Sequence, residues 1–93
     1  MKTNSLYIHR EIAGESLLIP VGEATKKLNG MIQLNKVATF IWKNIDTASS
    51  LEEIVSLVCQ EFEVELERAR TDVLALCKEL YERDLISEVP EFE

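Results

Sequence analysis

The side chains that could carry chemistry are His9, Cys59, Cys77 and the acidic run "EFEVELE" at 61–67. A histidine acting as general base needs a nucleophile or an acid within hydrogen-bond reach. His9 alternates with Ile8 in an extended run, without an Asp or Cys at a telling spacing, and reads as a rim imidazole. Cys59 and Cys77 stand 18 positions apart and form no CxxC. Each lies among apolar neighbours at helical spacing, which points to reduced thiols packed as small hydrophobes. The acidic run lacks the alternating oxygen ligands and the glycine of a calcium loop. No Ser or Cys sits in a nucleophile elbow. The three glycines form no phosphate cradle. The expectation is a chain without catalytic residues, cofactor or metal.

The bulk composition narrows the partners. A chain of 93 residues is expected to form a single domain, 1–93, with a folded unit over about 6–86 and a short acidic C-terminal tail. The net charge of -7 argues against a nucleic-acid surface, because that affinity is mostly cation against phosphate. It argues equally against an anionic membrane. "MKTNSLYIHREIAG" has no apolar stretch of signal-peptide length, so the expected compartment is the cytoplasm.

These residues must be held by elements the pattern also predicts. "LYIHREI" and "SLLIPV" read as two strands around "AGE", with Gly14 free to take positive φ. Pro20 ends the second strand or places it at an edge. "GEATKK" is a polar connection, and "LNGMIQL" is a third strand bent at Gly30. Asn35 reads as the N-cap of a first helix, "KVATFIWKNI", with Val37, Ala38, Ile41, Trp42 and Ile45 inward. Ser50 and Glu53 make a capping box for a second helix with Leu51, Ile54, Val55, Val58 and Phe62 inward. Val64 is expected to tuck into the corner that follows. A third helix runs from about Leu66 to Asp84, although its Glu-rich start lacks a Ser, Thr, Asn or Asp cap. "LISEV" closes the chain as an extended tail. Strands followed by helices give an α+β fold. The arrangement predicted is a winged helix-turn-helix: a three-stranded antiparallel sheet, then three helices.

A winged helix raises a DNA-binding reading, with the third helix in the recognition role. Between Glu65 and Asp84 that helix carries six acids and four bases, which phosphates would repel. A regulator or dimerisation module remains the alternative function. The other reading is a groove between the third helix and the third strand. On a helical wheel Leu66, Ala69, Val73, Leu76, Cys77 and Leu80 form the packing face, with Leu74 and Tyr81 to one side of it and Arg70 between the flanks. The third strand would offer an edge. Lys26 and Lys27 could guard it against unwanted pairing or sit beside an invited strand.

The ordered set "REIAGESLLIPVG", "LNGMIQLN", "ATFIW", an acidic second helix and "DVLALCKELYERDLI" resembles the PqqD-like family over about Leu6 to Ile86. The resemblance implies a small winged-helix recognition element without catalytic residues. It would bind the leader segment of a ribosomally made precursor peptide and present it to a modifying enzyme of the radical SAM class. By the resemblance, the leader adds as a strand to the third strand and rests on the third helix. The strand surface would be Lys27, Leu28, Asn29, Met31, Ile32 and Gln33. The helix surface would be Arg70, Val73, Leu74, Cys77 and Tyr81. The chain is expected to act as a free-standing partner, monomeric or weakly dimeric, with no nucleic acid and no membrane.

Overall fold

The computed structural model describes residues 1–26 and 30–93. The strands are β1 (Lys2–Thr3), β2 (Tyr7–Ile12), β3 (Glu15–Pro20), β4 (Ile32–Leu34) and β5 (Ile86–Ser87). The helices are α1 (Lys36–Ile45), α2 (Leu51–Phe62) and α3 (Leu66–Glu82). An antiparallel sheet in the order β2-β3-β4 lies beside the three helices, so the fold is α+β with a winged-helix order of elements. The third strand is shorter than the sequence suggested, and the polar connection before it contains a 3-10 turn at Gly22–Lys26.

A two-residue turn sets the sheet. Ile12 pairs with Glu15, and both turn residues take positive φ, Ala13 at 53° and Gly14 at 83°. Such a turn matches the right-handed twist of the flanking strands. It places Ala13 where a side chain costs roughly 1–2 kcal/mol. The register Tyr7↔Pro20, His9↔Leu18 and Glu11↔Ser16 then puts Tyr7, His9 and Leu18 on one face. Ile32 and Leu34 share that face through Leu18↔Ile32 and Ser16↔Leu34. Tyr7, Leu18 and Leu34 are buried, and Ile12 on the opposite face is 52% exposed.

The helices are held by local chemistry. The Asn35 side chain accepts from the Ala38 N–H at 2.8 Å and starts α1 directly after β4. The Ser50 hydroxyl accepts from the Glu53 N–H at 3.2 Å. Glu53 Oε1 reaches back to the Ser49 N–H and hydroxyl, not to Ser50, so the capping box is offset by one residue. α3 starts at Leu66 behind Glu65 without a side-chain cap. Its stripe Ala69, Val73, Cys77 and Leu80 is buried against Ile41, Ile45, Ile54, Val55 and Val58 from α1 and α2. Val64 does not tuck in; it is 36% exposed, and Leu66 is 50% exposed.

The chain ends are part of the fold, beyond the limits the sequence suggested. β5 pairs with β1 in the register Lys2↔Ser87 and Thr3↔Ile86. Asp46 at the end of α1 accepts from the Thr3 N–H and hydroxyl, both at 2.8 Å. Val89 is fully buried, and the Glu91 carboxylate accepts from the Leu51 N–H at 2.9 Å, satisfying an orphan donor of α2. Among the described residues no helix is long and apolar enough to cross a membrane.

Trp42 is 8% exposed within this core. Trp42→Ala is expected to cost about 3–5 kcal/mol by leaving a cavity. A thermal melt checks this; a Tm near that of the wild type would contradict the placement.

Candidate functional site

The phase of the β2–β3 hairpin decides what β4 offers to a ligand. A two-residue turn is closed by a pair that exchanges both main-chain bonds, and hydrogen-bonded pairs then recur at every second position. From Ile12↔Glu15, the bonded pairs are Arg10↔Leu17 and Ile8↔Ile19. Ser16 and Leu18 therefore turn their main-chain groups to β4, and Ile32 and Leu34 answer them. The N–H and C=O of Gln33 point the other way, to the open edge. Among the described residues no strand pairs there. Pro20, next in this phase, has no N–H to give, which explains why β4 begins only at Ile32.

A cleft of ≈ 220 Å³ runs between this edge and α3. Its apolar floor comes from Ile32, Ala38, Leu76 and Leu80, with Glu79 and Arg83 at its mouth. Arg83 Nη2 meets Glu79 Oε1 at 3.1 Å, one helical turn away. Both side chains are about half exposed, so this pair is a loose rim contact.

The expected strand residues fall unevenly on this geometry. Lys27, Leu28 and Asn29 lie outside the described residues. Ile32 lines the cleft, Gln33 presents its main chain to the open edge, and Met31 is 63% exposed just before the strand. The expected helix residues are not brought to the cleft. Val73 and Cys77 have no exposed surface and belong to the core. Arg70 turns to α2, where its guanidinium contacts Glu52 at 3.0 and 3.1 Å, and it also meets Glu67 at 2.7 Å. Hydrogen bonding by Arg70 holds the Glu52 carboxyl below the usual glutamate range. Tyr81 stacks edge-on with Phe92 and donates to Glu93 at 3.2 Å. Leu74 is 37% exposed on that same far flank. This placement has a geometric cause. On the wheel, Leu76, Glu79 and Arg83 sit roughly 160° from Arg70, Leu74 and Tyr81. The periodicity shows two flanks of one stripe and does not say which one meets the sheet.

His9 has partners the sequence did not suggest. Its Nε2 lies 2.7 Å from the Ser16 hydroxyl, and the Thr39 hydroxyl lies 2.7 Å from Ser16 on the other side. This polar chain ties the inner face of the sheet to α1. Among the described residues no group of three His, Cys, Asp or Glu is placed to hold a metal ion.

The sequence profile of the family described as Coenzyme PQQ synthesis protein D (PqqD) matches residues 12–86. The chain belongs to the PqqD family. No curated protein matches it. A solved structure of TbiB1 in complex with the TbiA(beta) leader peptide shares the fold of this PqqD-family chain, with a TM-score of 0.74. The two are 22% identical, and the match covers 95% of this chain and 96% of that one.

The two thiols of this PqqD-family protein differ in environment. Cys59 is half-buried, and burial, aided by the Glu91 carboxylate, pushes the Cys77 thiol up to about 12. Only a thiolate is a good nucleophile. At pH 8 iodoacetamide is therefore expected to modify Cys59 well before Cys77, and both at similar rates after unfolding. Peptide mass mapping over time checks this; equal native rates would contradict the buried position of Cys77.

Proposed function

We propose that this chain binds the leader segment of a ribosomally made precursor peptide by strand addition to the β4 edge. The leader lies in the cleft beside α3 and is presented there to a modifying enzyme. The observation that carries this reading is the conjunction of outward-facing Gln33 main-chain groups with an apolar-floored cleft beside α3. An extended peptide needs both. Main-chain bonds supply affinity, and alternate side chains entering the cleft supply selectivity. Membership of the PqqD family supports the reading, as does the leader peptide in the complex of the similarly folded TbiB1. The radical SAM class of the enzyme and a cytoplasmic setting belong to the same proposal.

The test is fluorescence anisotropy with fluorescein-labelled synthetic peptides tiled along short reading frames found beside the gene. Gln33→Pro removes one outward donor at a position where an edge strand tolerates proline. It is expected to weaken binding about five- to tenfold, the worth of one hydrogen bond. Leu76→Asp places a charge in the apolar cleft and is expected to weaken binding at least as much. Tyr81→Ala, on the far flank, should leave the affinity near that of the wild type. Folded Gln33→Pro and Leu76→Asp variants that bind like the wild type would contradict strand addition at this edge.

A further inference from the structure

The cleft beside β4 does not end where β4 ends. A second hollow of ≈ 450 Å³ shares Asn35, Ala38, Leu76 and Glu79 with it. A third hollow of ≈ 540 Å³ shares Val37 and Asp72 with the second. Together they make one groove along the flank of α3 from Arg83 to Arg68 and on to Val64. The span from residue 83 to residue 68 is 15 helical steps, about 22 Å at 1.5 Å each. β4 is only three residues long, about 10 Å of strand. A peptide that fills the groove therefore makes roughly seven residues of contact, of which β4 pairs about three.

The continuation has its own chemistry. Its wall is the first turn of α1, through half-buried Val37, and the exposed N-terminal half of α3. Three carboxylates line the second and third hollows: Glu79, which Arg83 meets at 3.1 Å, and Asp72 and Glu65, which share one guanidinium, Arg68. Arg68 approaches Asp72 at 3.9 Å, with side chains 78% and 61% exposed, a contact too loose to neutralise the site.

We infer that the groove continues past β4 as a second subsite, formed by Val37, Asp72 and Glu65, which takes a basic side chain of the same leader peptide. This rests on the leader-binding reading above. The basic residue falls about three positions beyond the last strand-paired one, because Asp72 lies seven helical steps, about 10 Å, from Glu79.

The test begins with a display library of random twelve-residue peptides selected on the wild-type protein. A selected peptide is then made in two labelled forms, with Lys or with Glu at the position beyond the strand-paired segment. Anisotropy on the wild type is expected to favour the Lys form about two- to fivefold at low salt, the scale of an exposed ion pair. The preference should shrink as salt rises. On Asp72→Lys the preference is expected to reverse. Gln33→Pro should weaken both forms equally. An unchanged Lys preference on Asp72→Lys, or no preference on the wild type, overturns the second subsite. Undiminished binding to Gln33→Pro instead overturns strand addition itself. A selection that enriches no peptide overturns both readings.

Discussion

The phase of one hairpin governs which main-chain groups this sheet leaves unpaired at its edge. Ala13 and Gly14 both take positive φ so that Ile12 can close directly on Glu15. From that closure the ladder alternates without further choice. It sends the main-chain groups of Ser16 and Leu18 to β4, consumes those of Ile32 and Leu34, and leaves those of Gln33 outward. A slip of one residue would exchange these sets and would also move Leu18 and Leu34 from the core to solvent. The buried face and the open edge are thus two consequences of the same register. The hydrophobic contacts that stabilise the sheet also keep the open edge in phase.

The helices complete this arrangement by supplying the second wall. Asn35 ends β4 and caps α1, so the strand cannot shift without breaking a helix start. α3 lies across the groove because Ala69, Val73, Cys77 and Leu80 are buried against α1 and α2, which turns Leu76, Glu79 and Arg83 toward β4. The far flank is occupied otherwise: Arg70 is bound to Glu52 and Glu67, and Tyr81 to Phe92 and Glu93. The carboxyl-terminal segment thus covers one side of α3 and leaves the other open.

Much of this was legible in the sequence where the determinants are local. Asn35, Ser50 and the stripes of α1 and α2 announce themselves within a few residues, and the lack of a cap at Glu65 was visible too. What escaped is non-local. The pairing of β1 with β5 joins residues more than 80 positions apart. Alternation in "LYIHREI" defines two faces, but only the contact with α1 makes Tyr7 and His9 inner and Ile12 outer. The wheel of α3 likewise offers two flanks, and only the tertiary packing selects Leu76 and Glu79 over Arg70 and Tyr81. Edge accessibility at Gln33 required the exact length of a turn whose Ala13 is not a favoured turn residue.

Strand addition of a leader peptide at Gln33 is the proposed binding mode. It is tested most directly by residue-resolved amide hydrogen exchange, measured by NMR with and without the bound leader peptide. The account predicts that the amides of Ile32 and Leu34 are protected already in the free protein. The Gln33 amide should exchange fast when free and become protected on binding. A Gln33 amide that is protected without peptide, or stays fast at saturation, would contradict it.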